Sequence, residues 1–301
     1  MTPPARTLLI ASEGQLGSDI RRVWDGELLP FAHGEFDVCD RDQAHEIISK
    51  AAPDLVINTA AYHRVDECET NGPRAFEVNG LGAKNVADAA REAGAAVIFI
   101  STDYVWGGDK GSPYAETDLP RPLSVYGTSK LAGEMLVRQS NPRHFVVRSS
   151  SLFGIAGASG KGGNFVETML RKARAGEPLR VVDDQVSSPT QTHDLAAKLQ
   201  ELAASERYGL YHVTNAGETS WCRFAAEIFE LAGLQPSLTP TTSVEMGAPA
   251  ARPAYSVMEN RALKEAGIEP MRPWQEALAD YLREKGHLAG SSGQPADSQA
   301  T

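Results

Sequence analysis

Five runs in the first half of this 301-residue chain are apolar along nearly their whole length: TLLIA at 7–11, ELLPFA at 27–32, DLVINTA at 54–60, AVIFIS at 96–101 and FVVRSS at 145–150. A strand with one wet face alternates polar and apolar residues. These runs do not, so both faces of the sheet they build must be covered. The covering material lies between them in the amphipathic stretches QLGSDIRRVW, RDQAHEIISK, PRAFEVNGLGAKNVADAAREAG and VYGTSKLAGEMLVRQ, which read as helices. Strands and helices in regular alternation give βαβ units and a parallel sheet. The expected fold is α/β, with a doubly wound parallel sheet formed by residues 1–150.

Beyond residue 151 the regularity loosens into a Gly- and Ser-rich stretch, GIAGASGKGGN, followed by one helix and the short strand LRVVDD. YGLYHVT at 208–214 reads as a further strand, and SWCRFAAEIFELAG and PWQEALADYLREK as helices. Residues 151–288 are expected to form mainly a smaller C-terminal substrate-binding domain, with 179–215 returning partly to the first, and 289–301, AGSSGQPADSQAT, to form a disordered tail. The formal net charge of −10 argues against nucleic acid or an anionic membrane as partner, because both are bound through excess Lys and Arg. Cys39, Cys68 and Cys222 have no metal-site or disulfide spacing, so they read as reduced structural thiols, and no metal is expected. No run approaches the ~18 apolar residues of a membrane span. The first residues also lack a secretory pattern, so a cytoplasmic protein is expected.

In a doubly wound sheet the first strand leads through a glycine-rich turn into a helix whose N-terminus receives a cofactor pyrophosphate. Here that turn is Ala11-Ser12-Glu13-Gly14-Gln15-Leu16-Gly17. Against the pattern G-x-x-G-x-x-G, the second and third glycines are present and the first is Ala11, whose methyl is expected to crowd the turn. Asp37 lies where an acid can meet the adenosine end of a dinucleotide, although it could instead cap a helix, a role that suits Asp40 better. His33 stands where an acid or arginine would discriminate the cofactor, so NADH and NADPH both remain open.

Tyr126 and Lys130 are four residues apart and share one helical face, and Ser101-Thr102-Asp103-Tyr104 ends the preceding strand. A carbonyl reductase needs a proton donor for the alkoxide that forms as hydride arrives. An ammonium beside a tyrosine favours the phenolate and lowers a pKa that ordinarily lies near 10. Thr102, at the carboxyl end of a parallel strand, can reach the crevice and donate to a substrate carbonyl. The bland alternative for Tyr126 and Lys130 is an exposed tyrosine lying over a lysine stem.

With these segments the chain resembles the extended short-chain dehydrogenases, and among them the dTDP-4-dehydrorhamnose reductases. The matching segments include GQLG at 14–17, VINTAAYHRVDECE at 56–69, AFEVN at 75–79, ISTDYVWGG at 100–108, VYGTSK at 125–130, NFVETML at 164–170, DDQVSSPT at 183–190, YHVTNAGETSW at 211–221 and ARPAYS at 251–256. The resemblance implies a Rossmann-type sheet and reduction of the 4-keto group of a nucleotide-linked deoxysugar by NADPH or NADH. It further implies that Gly14, Gln15 and Leu16 cradle the pyrophosphate, that Asp37 and Val38 sit near the adenosine, and that Ala60, Ala61 and Tyr62 line the cofactor. Thr102, Tyr126 and Lys130 would be catalytic, and Val65, Thr102, Asp103 and Tyr104 would face the sugar. Where the family carries R-T-S-W-V-Y-G, residues 148–154 read RSSSLFG, so Ser151 replaces a tryptophan expected against the sugar. A reductase or epimerase of another nucleotide sugar, or a non-catalytic nucleotide-binding regulatory subunit, are the other readings of this scaffold.

Overall fold

The computed structural model describes residues 4–157 and 163–289. The middle of the glycine-rich stretch and all but the first residue of the expected tail therefore lie outside the described residues. The five apolar runs form β1 (Arg6–Ile10), β2 (Glu27–Phe31), β3 (Leu55–Asn58), β4 (Ala96–Thr102) and β5 (His144–Ser149), joined by β6 (Gly209–His212). Together they make one wholly parallel sheet in the order β2-β1-β3-β4-β5-β6.

Successive strand residues feed two different cores: Leu9, Ile57, Ile98 and Phe145 enter one, and Leu8, Val56, Val97 and Val146 the other. Helices α1 (Gln15–Val23), α2 (Arg41–Ala51), α3 (Ala83–Glu92) and α4 (Val125–Ser140) connect the strands. Leu16 and Ile20 of α1 cover the first face, while Ala44 and Ile48 of α2 and Val86 and Ala87 of α3 cover the second. The edge strand β2 is partly wet along its whole length, and there Pro30 is tolerated because an edge need not donate on both sides. The winding reverses between β1 and β3, which opens a crevice at their carboxyl ends.

Two elements depart from expectation. Residues 73–94 are not one helix: the chain is α-helical over Gly72–Phe76, widens into a π turn over Glu77–Gly82 and then enters α3. A Cβ on Gly82 would lie 2.7 Å from Val38 Cγ2, so the helix meets the end of the second strand's loop at this point. The wide turn directs Asn79 inward, where its Oδ1 accepts from Tyr62 N at 2.9 Å and its Nδ2 donates to Tyr62 O at 3.1 Å and Ser129 Oγ at 3.0 Å. The second departure is a long helix within residues 179–215, where only strands are expected.

Following α5 (Phe165–Arg174), that helix is α6 (Thr192–Ser205), and its Leu195, Leu199 and Leu202 complete the first core beside α1. A third core gathers Phe153, Val166 and Leu170 with Phe224 and Ile228 of α7 (Trp221–Leu231) and Leu278 and Tyr281 of α8 (Trp274–Glu284). Short strand pairs, such as Leu152–Phe153 with Thr190–Gln191, tie this core to the end of β5.

Candidate active site

The turn after β1 ends on Gly14, which caps α1 with no side-chain hydrogen bond. The first amides of α1 are thus left for another acceptor. A Cβ on Gly17 would lie 2.5 Å from Ala11 O and 2.9 Å from Ser12 Cα, so glycine is required for the helix to start so close to the strand. Ala11 stands at φ +59°, so the expected crowding takes the form of backbone strain. A left-handed conformation costs a non-glycine residue ~1–2 kcal/mol, and glycine's extra freedom in the unfolded chain returns ~0.4–1 kcal/mol of that. Ala11→Gly should therefore raise stability by up to about 1.6 kcal/mol in thermal melts and tighten cofactor binding. Unchanged dissociation constants for NADH and NADPH would mean that the turn already has its binding shape.

Helix α4 is capped by Ser124, whose side chain accepts from Gly127 N at 3.2 Å. Two glycines seat it: a Cβ on Gly127 would fall 2.3 Å from Tyr104 O, and one on Gly133 would fall 2.2 Å from Asn79 O. The helix is thereby wedged between the turn after β4 and the π turn, and Tyr126 and Lys130 are driven into the cleft. Thr102 closes β4 and caps the next turn, its Oγ1 accepting from Tyr104 N and donating to Asp103 Oδ1, each at 3.2 Å. The Tyr126 ring meets that of Tyr104 edge-on, with centroids 5.7 Å apart.

The electrostatics correct one expectation. Lys130 does not bring Tyr126 down; burial pushes the phenol well above its ordinary value, against a hydrogen bond with the Thr102 side chain, and Asp103 pushes it further. Lys130 itself is 1% exposed, and burial drives its ammonium down to about 7, with the Glu134 carboxylate opposing. Its Nζ has no hydrogen-bond partner and lies 4.1 Å from the centre of the Phe99 ring. Asp103 is raised by burial, although the hydroxyls of Ser256, Ser150 and Thr102 all support its charged form. Ser256 Oγ donates to its Oδ2 at 2.6 Å.

These groups line a cleft of about 600 Å³. Of the expected residues, Gly14, Gln15, Leu16, Ala61, Val65, Thr102, Asp103, Tyr104, Tyr126, Lys130 and Ser151 line it. Asp37, Val38, Ala60 and Tyr62 do not line it. Asp37 turns its carboxylate onto Cys39 N at 2.9 Å, and Asp40, as its position suggested, caps α2 by accepting from Gln43 N. Val38 is buried against the π turn, Ala60 N donates to Asn58, and Tyr62 is held by Asn79 through its backbone. Ser151 occupies left-handed backbone at φ +47°, with its hydroxyl 2.8 Å from that of Ser187.

Trp221 and Arg252 are among the lining residues that the sequence left unassigned. Trp221 opens α7 and offers the cleft an aromatic ring, braced on Phe165 at 4.6 Å between centroids. Arg252 is hydrogen-bonded to Asp66 Oδ2 and Ala250 O, each at 2.9 Å, and to the Tyr104 side chain. It brings a cation to the side of the cleft nearest Tyr104. Among the described residues no cluster of His, Cys, Asp and Glu could hold a metal ion, and no helix is long and apolar enough to cross a membrane.

A family model described as RmlD substrate binding domain matches residues 5–286. The chain belongs to this family. The RmlD match runs through the parallel sheet and the third core alike. Among similar proteins is the spore coat polysaccharide biosynthesis protein SpsK of Bacillus subtilis, 39% identical over 93% of this chain and 98% of that one. A dTDP-4-dehydrorhamnose reductase of Streptomyces griseus is 37% identical over 97% of each. The crystal structure of dTDP-4-dehydrorhamnose reductase from Bacillus anthracis in complex with NADP is 36% identical and superposes with a TM-score of 0.89, over 94% of this chain and all of that one. An RmlD-family chain with Thr102, Tyr126 and Lys130 gathered in one cleft has the parts of a carbonyl reductase.

Proposed function

We propose that the protein reduces the 4-keto group of dTDP-4-dehydro-L-rhamnose to give dTDP-L-rhamnose. The observation that carries this reading is Lys130, a buried ammonium with no hydrogen-bond partner, one helical turn from Tyr126 in the cleft. An orphaned charge is costly to bury, and a partner in the cleft relieves the cost. The ribose of a nicotinamide cofactor fits Lys130, and a pyrophosphate fits the uncapped amides of α1 beside Gly14, Gln15 and Leu16. Bound NADPH or NADH supplies the hydride. A non-catalytic nucleotide binder has no use for an ammonium held in this way.

In this reading Thr102 and Tyr126 hold the substrate carbonyl, and Tyr126 gives its hydroxyl proton to the oxygen as it becomes an alkoxide. Burial raises Tyr126, which keeps it protonated until the reaction begins. Ala60, Ala61 and Tyr62 are assigned to the cofactor, and Asp37 and Val38 to its adenosine end. Val65, Asp103, Tyr104 and Ser151 are assigned to the sugar, and Arg252 to the diphosphate. Residues 151–288 supply mainly the substrate side, with 179–215 shared with the sheet, and the reaction is placed in the cytoplasm.

Arg252→Met should raise KM for the nucleotide sugar by about 10-fold or more, because a hydrogen bond to a charged group is worth ~1.5–3 kcal/mol. Cofactor affinity should not change, and a melt shows whether losing the Asp66 contact unsettles the fold. Ser151→Trp should raise kcat/KM for dTDP-4-dehydro-L-rhamnose several-fold by restoring an apolar wall opposite a polar edge. Kinetics on two 4-keto sugars, before and after the change, check this, and identical ratios would remove Ser151 from the sugar site. The substrate assignment is tested by the consumption of reduced cofactor with a panel of nucleotide 4-keto-sugars. The highest kcat/KM is expected for dTDP-4-dehydro-L-rhamnose, and a clearly higher value for another sugar overturns it.

A further inference from the structure

Behind the cleft lies a buried carboxylate that the proposed chemistry does not use. Glu134 follows Lys130 by four residues on α4, so the two share a face, and it is 1% exposed. Arg148 grips it with two parallel hydrogen bonds, Nε to Oε1 at 2.8 Å and Nη2 to Oε2 at 2.6 Å, and Ser101 Oγ donates to Oε1 at 2.5 Å. Three elements meet on this one group: α4, the end of β4 and the end of β5. The residues that follow Ser101 and Arg148 are Thr102 and Ser149, both in the cleft. The guanidinium is pinned in turn, 4.7 Å over the Trp106 ring, which meets the buried His212 edge-on. An ion pair buried this deeply is a weak source of stability, since apolar residues of the same shape are often as good or better. A role in holding the site accounts for it.

We propose that Glu134, clamped by Arg148 and Ser101, is a positioning residue that favours the charged form of Lys130 and locks α4 to the ends of β4 and β5. The inference rests on the assignment of Lys130 above. The charged and titratable groups nearest the catalytic end of α4 are few. From α4 itself come Tyr126 and Glu134, from Val65–Thr70 come Cys68 and Glu69, from the turn after β4 come Asp103 and Tyr104, and from β5 comes Arg148. Glu69 is engaged with Val125 N at 2.9 Å, and Asp103, Tyr104 and Cys68 act on Tyr126. The Glu134 carboxylate is the group that favours the charged lysine against its desolvation.

The test compares Glu134→Gln, Glu134→Asp and the double variant Glu134→Gln/Arg148→Met, which removes both buried charges. NADPH binding to the otherwise cofactor-free protein is followed against pH by quenching of tryptophan fluorescence, alongside the pH profile of kcat/KM and a thermal melt. Removing the carboxylate should move the alkaline loss of NADPH affinity, and the alkaline limb of kcat/KM, down by about one pH unit or more. Glu134→Asp, which keeps the charge, should retain the wild-type pH dependence with reduced turnover. The double variant should recover melting temperature and keep the shift, and if Glu134→Gln does not fold, the double variant decides alone. Wild-type pH dependence of both binding and kcat/KM in the folded variants overturns the proposal, because a purely structural pair would change only the melt. If Lys130→Met itself leaves NADPH binding and turnover intact, the assignment of Lys130 fails, an outcome distinct from failure of the Glu134 role.

Discussion

Tyr126→Phe is expected to fold, bind cofactor and lose most of its turnover, by a factor of ~10²–10⁴, the usual worth of a positioned general acid. The substitution removes one atom. The ring stays buried and keeps its edge-on contact with Tyr104, while the seating of α4 depends on Gly127 and Gly133, which are untouched. What is lost is the hydroxyl beside Thr102, the group proposed to pass a proton to a carbonyl held at the end of β4. The loss should fall on kcat rather than on cofactor affinity, and it should not be recovered at any pH, because phenylalanine has no proton to supply. Steady-state rates, cofactor titration and a melt on the same preparation separate these effects. A rate within a few-fold of wild type would take Tyr126 out of the mechanism.

Lys130→Met should abolish turnover and weaken cofactor binding while making the protein more stable. The two effects have one origin. Burial lowers the lysine from 10.5 to about 7, so between these values the unfolded chain holds a proton that the folded protein has given up. Folding is therefore penalised increasingly as pH falls from the higher value to the lower, and the full penalty stands below about 7. Methionine carries no such penalty, fills a similar volume and can lie against Phe99. The melting temperature of the variant should exceed that of wild type at neutral and mildly acidic pH, and the gap should narrow as pH rises. A variant that is less stable at every pH would mean that the ammonium makes contacts in the protein that outweigh its desolvation.

The parallel sheet is legible in the sequence because its strands are buried on both faces, and unbroken apolar runs such as Leu8–Ile10 and Val97–Phe99 have few other uses. The Tyr126 and Lys130 helix is legible for a related reason: its spacing and its glycines are local signals. The π turn is harder to see, since Gly80, Gly82 and Asn79 look like weak points in a helix until Val38 and Tyr62 are brought against them from other loops. Helix α6 carries a regular stripe of Leu195, Leu199 and Leu202, a local signal that its less regular neighbours obscure. Trp221 and Arg252 reach the cleft from far along the chain, and nothing local marks a tryptophan at a helix start or an arginine before a proline as cleft-lining. The left-handed backbone of Ser151 has no signature either, because serine is not a residue that announces positive φ.

The central claim is that this cleft moves a hydride onto the 4-carbon of a nucleotide keto-sugar, with Tyr126 supplying the proton. The most direct measurement uses NADPH or NADH bearing deuterium at the transferable position, incubated with purified protein and dTDP-4-dehydro-L-rhamnose, with the sugar product read by NMR. The account predicts dTDP-L-rhamnose carrying deuterium at the 4-carbon, one equivalent of cofactor oxidised for each sugar reduced, and almost no product from Tyr126→Phe. Sugar that is converted without deuterium and without net oxidation of the cofactor, as an epimerase would do, would contradict it.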